Sequence, residues 1–220
     1  MRNWPVGSNM EEVFDATTAF FTLDPMVSKR LLPTFEALSG GDWTELVSND
    51  EDLEQRLTSQ GLKSPEKRDS ITWDDANLFF LSCIHLTPVG QPMPLEAGLS
   101  RERFGRFPYG DGSAITYLRD WIRDSRRKPA TLEELKELME KLATRMSGTS
   151  MESGFGRLEM RGWLTSEEVT SLRKALTSKC WMPSADEPLD GGCQDAAKHL
   201  VALLRAAEKR FCGVVFRVHN

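Results

Sequence analysis

The chain has 220 residues, 40% hydrophobic and 28% charged, with a formal net charge of −5. That balance argues for a folded globular protein and against disorder. No apolar run approaches the roughly 18–20 residues of a membrane span, and the acidic sum makes nucleic acid an unexpected partner.

Charge is unevenly spread. Residues 1–100 carry 7 Lys/Arg against 16 Asp/Glu, residues 101–128 carry 8 against 4, and residues 129–220 balance at 13 against 13. The four cysteines, Cys83, Cys180, Cys193 and Cys212, form no CxxC pair. The first residues lack the apolar core of a secretory signal, and no lipidation motif is visible. Reduced thiols in a cytoplasmic protein are therefore expected.

In chain order, Ser8 and Glu11 make a Ser-x-x-Glu box before Val13, Phe14, Ala16, Phe20 and Phe21, an apolar helical face. Asp24-Pro25 reads as an N-cap with proline at the first helical position. The helix that follows meets Pro33, where a kink or an end is expected, and stops at Gly40-Gly41. Trp4 and Trp43, beside Pro5 and near Gly41, are expected to be exposed. Asn49 to Asp52 open a helix carrying Leu53 and Leu57, with Gly61 as its C′ residue. Thr72 is expected to cap a helix with Trp73, Ala76, Phe79, Phe80, Cys83 and Ile84, apolar around most of its circumference and so buried.

Residues 86–99 hold Pro88, Gly90, Pro92, Pro94 and Gly98, and read as a linker or an ordered functional loop. The chain is expected to be one domain. If that segment is a linker, residues 1–87 form an acidic helical part and 99–220 a helical part with a small sheet.

Beyond it, a helix with Ile115, Leu118, Trp121 and Ile122 runs into Arg126-Arg127-Lys128. Thr131 and Glu134 form another box, opening a helix with Leu132, Leu135, Leu138, Met139, Leu142 and Met146. Leu158 and Met160 alternate with Glu159 and Arg161 as a half-buried strand does. Gly162 breaks the run. Thr165 and Glu168 form a capping box, with Leu164 and Val169 as its hydrophobic staple. A loop over Pro183–Gly192 precedes a helix burying Ala197, Leu200, Val201, Leu204, Ala207 and Phe211. Gly213 to His219 ends the chain as a strand, the natural partner of residues 156–161. The expected fold is α-rich α+β: about eight helices on a small antiparallel sheet that includes the C-terminal strand.

Catalytic and metal motifs are sparse. Cys83-Ile84-His85 has one intervening residue, and Cys193 and His199 lie six apart, neither a zinc spacing. There is no G-x-S-x-G elbow, P-loop or dinucleotide fingerprint, so no cofactor is expected. The carboxylate pairs Asp74-Asp75, Glu133-Glu134 and Glu167-Glu168 all fall in first helical turns, where the dipole accounts for them.

The basic stretch is the most suggestive feature. Arg123 follows Arg119 by four residues, and Arg126 and Arg127 follow Arg123 by three and four, spacings of one helical face. Arg101, Arg103, Arg106, Tyr109 and Asp111 lie upstream. Guanidinium forks suit phosphate and carboxylate, so these residues form a candidate anion, RNA or acidic-partner surface. Pairing of the basic segment with the acidic front half would account for them without a ligand. Asp111 or Ser113 is expected to cap the helix that follows.

The run Gly162-Trp163-Leu164-Thr165-Ser166-Glu167-Glu168-Val169 is followed by a helix, a loop, a helix ending Ala206-Ala207 and the strand Gly213-Val214-Val215-Phe216. This C-terminal third resembles small uncharacterised bacterial proteins of the domain-of-unknown-function kind, to some of which toxin-immunity roles have been ascribed. The resemblance implies a helix feeding a short terminal strand and carries no activity with it. From the acidic front half, the segregated basic stretch and the lack of a catalytic motif, the functional expectation is a non-catalytic protein-binding module, immunity- or adaptor-like, with another protein as partner. The alternative is an enzyme or small-ligand protein using Arg106, Tyr109 and Asp111 on an anionic substrate beside residues 86–113.

Overall fold

The computed structural model describes residues 20–95 and 113–219. In chain order the first block forms strand β1 (Phe20–Met26) and helices α1 (Ser28–Leu38), α2 (Trp43–Ser48), α3 (Glu51–Ser59) and α4 (Asp75–Cys83). The second begins with α5 (Ala114–Trp121), β2 (Ile122–Asp124), α6 (Pro129–Thr144), β3 (Ser153–Gly154) and β4 (Leu158–Leu164). It ends with α7 (Ser166–Thr177), β5 (Trp181–Pro183), α8 (Gly192–Lys209) and β6 (Gly213–His219). The fold is α-rich α+β, as the sequence pattern leads one to expect. An antiparallel sheet of order β1-β6-β4-β3 includes the C-terminal strand, and β2 and β5 form a separate antiparallel pair.

β6 lies inside the sheet because both its faces are apolar. Val214, Phe216 and Val218 alternate with Val215, and all four are buried. Val214 and Phe216 join a core with Leu23 and residues of α5, α6, α7 and α8. Val215 faces a second core with Met26, Leu31, Phe79, Leu158, Met160 and Trp163. A third cluster, Trp43, Val47, Leu53, Leu57, Ile71 and Leu78, seats α2 and α3 against α4. α4 therefore serves two cores at once, which explains its nearly all-round apolar sequence.

The register of β4 shifts between Met160 and Gly162. This bulge keeps Trp163 in the same core as Leu158 and Met160 despite the odd spacing. Gly162 also marks a close approach: a Cβ there would overlap the carbonyls of Lys141 and Leu142 in α6. What reads in sequence as a break between strand and helix is thus a strand residue on which α6 packs.

Several local expectations are corrected. Phe20–Met26 is an edge strand, not a helix end followed by an N-cap. Asp24 is buried and accepts from Arg217 Nε at 2.7 Å across the β1–β6 pair, a contact to which the sequence gives no local clue. Pro33 sits inside α1 without ending it, exposed on the solvent side where water can satisfy the carbonyl it leaves unpaired. Trp43 is not exposed: it is buried and its Nε1–H donates to Pro65 O at 2.8 Å. Asp74, not Thr72, caps α4, its carboxylate accepting from Asn77 N. α6 begins at Pro129, two residues before the Thr131 box, because proline suits the first helical turn.

Within the segment 86–99, Leu86 bridges Pro92 and Met93 N donates back to His85 O, and residues 96–99 lie outside the described residues. The Thr165–Glu168 capping box is present in both directions, and Ser113 caps α5. The expected helix over residues 8–19, and Trp4, lie outside the described residues. Among the described residues no helix is long and apolar enough to cross a membrane.

Candidate functional site

A groove of about 460 Å³ opens between α1 and α2. Its geometry starts at the helix junction. Gly40, with φ of +109°, ends α1, and Gly41 follows so closely that a Cβ would lie 2.8 Å from Glu36 O. The chain then reverses and Asp42 caps α2 by accepting from Glu45 N at 2.8 Å. Trp43 and Val47 bury the opposite side of α2, which leaves Asp42, Glu45 and Asn49 facing the groove. Lys29, Pro33 and Glu36 of α1 complete the opposite wall.

The floor is an ion pair. Arg30, buried in the first turn of α1, donates from Nε at 2.7 Å and from Nη2 at 2.8 Å to the Asp50 carboxylate. The same carboxylate accepts from Leu53 N at 3.0 Å and so caps α3. The hydrogen bond from Arg30 holds the Asp50 carboxyl below the usual aspartate range against the opposing effect of burial, with the Leu53 amide adding to it. The pair neutralises itself. The net field of the groove then comes from exposed Glu36, Asp42 and Glu45 against Lys29, and exposed Glu51, Asp52 and Glu54 continue the negative face along α3. Among the described residues neither Glu36 nor Glu45 has an ion-pair partner.

A second cluster joins a phenol, a carboxylate and a thiol. Tyr117 OH donates to Glu187 Oε1 at 3.0 Å, and the same oxygen accepts from Cys193 N at 2.5 Å. Such a trio could suggest nucleophilic chemistry. The environment opposes it: Tyr117 and Cys193 are buried. Burial first, and then the Glu187 carboxylate, push both the phenol and the thiol up to about 12. Both stay protonated at neutral pH, and the cluster fastens the loop before α8 to that helix's N-terminus and to α5.

The arginines do not form one helical face. α5 ends at Trp121, so Arg119 is helical, Arg123 lies on β2, and Arg126 sits in a turn with φ of +60°. Arg119 pairs with Glu140 of α6. Arg123 Nη1 donates to Asp120 O at 2.6 Å and Ile122 O at 2.9 Å. Arg127 is exposed in the turn before α6. The helix stops because Ile122 to Asp124 pair with Trp181 to Pro183, a partner some sixty residues on. Arg106, Tyr109 and Asp111 lie outside the described residues. Among the described residues, the acidic front half finds its cations in Arg30, Arg68 and Arg217, and no ion pair joins it to residues 113–128.

Among the described residues, no three His, Cys, Asp or Glu are grouped to hold a metal ion. No protein-family model, curated protein or solved structure matches the chain. Arg30, Glu36 and Glu45 carry no local signal of a site in sequence. Asp50 does, as a helix cap, but its second role depends on how α1 folds back over α3.

Proposed function

We propose that this chain is a non-catalytic protein-binding module, adaptor- or immunity-like, that takes a basic segment of a partner protein in the groove between α1 and α2. The observation that carries this reading is the exposed Glu36, Asp42 and Glu45 above a floor where Arg30 is already committed to Asp50. Carboxylates of this kind steer a cationic partner and select against an anionic one. A rigid floor limits the ordering cost of binding. The four free, buried thiols suit a reducing cytoplasmic setting.

Fluorescence anisotropy with a labelled nine-residue Lys/Arg peptide tests the reading. Wild type is expected to bind saturably and more weakly as salt rises. Glu36→Lys/Glu45→Lys should weaken binding at least tenfold. Glu133→Lys/Glu134→Lys on α6, with the same change in net charge, should alter it less than twofold. Equal losses in the two double variants would reduce the interaction to bulk charge and refute the groove.

A further inference from the structure

Away from the residues of the acidic groove, α7, β5 and α8 line an open groove of about 490 Å³. Its apolar wall is Leu176, Trp181, Ala197 and Val201, with Lys198 and Arg205 at its edge. Trp181 does not swing freely, because its Nε1–H donates to Leu176 O at 2.9 Å and fixes the indole plane at the C-terminal end of α7. Lys198 and Arg205 are seven residues apart, two helical turns, and so share one edge of α8. Both are exposed, and neither forms an ion pair among the described residues. Two neighbouring arginines are engaged otherwise: Arg173 pairs with Glu208, and Arg210 donates to Pro94 O.

We propose that this groove binds a small amphipathic carboxylate, its hydrocarbon body lying on Trp181, Leu176 and Val201 and its head group on the Lys198/Arg205 edge. The volume is in the range of small-molecule sites, and the composition matches theirs: a mainly apolar lining with a few placed polar groups. A guanidinium and an ammonium without internal partners favour an anionic head over a neutral one. The preset indole supplies a flat apolar surface at little entropic cost. This site is independent of the acidic groove and involves no residue of it.

The test is a titration with octanoate and, in parallel, 1-octanol, which offers a similar hydrocarbon body without the charge. The readout is the Trp181 indole N–H cross-peak in a ¹H–¹⁵N spectrum, identified by its loss in Trp181→Phe. Octanoate should shift that peak saturably, with at least tenfold tighter binding than octanol. Lys198→Glu/Arg205→Glu, both at exposed positions, should weaken octanoate at least tenfold and leave octanol within twofold. Equal affinities for the two ligands, an unaltered octanoate affinity in the double variant, or shifts at other indoles only would each overturn the proposal. So would sedimentation showing a dimer that ligand does not dissociate and that protects the Trp181 indole from exchange.

Discussion

The guanidinium of Arg30 bridges two helices: it belongs to the first turn of α1 and donates twice to Asp50, the N-cap of α3. The planar fork matches the carboxylate in a way an ammonium could not. This one contact therefore sets both the floor of the acidic groove and the start of the helix that extends its negative face.

Arg30→Met should cost about 2–3 kcal/mol in urea unfolding. That is less than loss of a fully buried pair, because Asp50 keeps some access to water. Arg30→Met/Asp50→Asn should recover part of the loss, since Asn still caps a helix and leaves no unpaired charge. A single variant as stable as wild type would show that the pair does not hold α1 to α3.

Acid should weaken the same contact. The Asp50 carboxyl is depressed in the fold, so its contribution is complete above the ordinary aspartate value of about 3.9 and is lost as pH falls through the lower folded value. The stability gap between wild type and Asp50→Asn should therefore be widest near pH 7 and shrink toward pH 3. A gap that stays constant over that interval would contradict the assignment.

Gly162→Ala should destabilise by about 2–3 kcal/mol, the usual cost of overpacking, because the added methyl meets backbone carbonyls of α6 that cannot rotate away. Thermal melting reads it directly. A neutral result would mean that α6 can slide on the sheet.

Glu187→Ala should cost about 2 kcal/mol, since it removes the acceptor for the buried Tyr117 hydroxyl and for the Cys193 amide together. Glu187→Gln should retain most of that stability by accepting at the same position. The alanine variant should also expose Cys193 to thiol reagents that leave the native protein unlabelled. Unchanged labelling would show that the loop stays closed without the carboxylate.

Local rules made much of the fold legible. The Thr165–Glu168 box, the Gly61 stop and the two-faced apolar run of β6 each depend on residues within a few positions of one another, and each forms as its pattern implies. Asp24 misled because its strand exists only through β6, whose Arg217 lies 193 residues away. The arginine spacing misled for the same reason: a pairing with Trp181–Pro183 replaces the helix that Arg123 and Arg126 would have continued. Little of the acidic groove was readable. Glu36 and Glu45 look like any solvated helical acid until the Gly40-Gly41 turn sets α1 beside α2.

The most direct measurement of the central claim is the footprint of the Lys/Arg peptide on ¹⁵N-labelled protein. Amides of Glu36, Ala37, Gly41, Glu45 and Asn49 should shift together with one affinity, and those of α6 should not move. Shifts scattered over the exposed acids of α3 and α6, without a cluster at the α1–α2 junction, would contradict a binding groove.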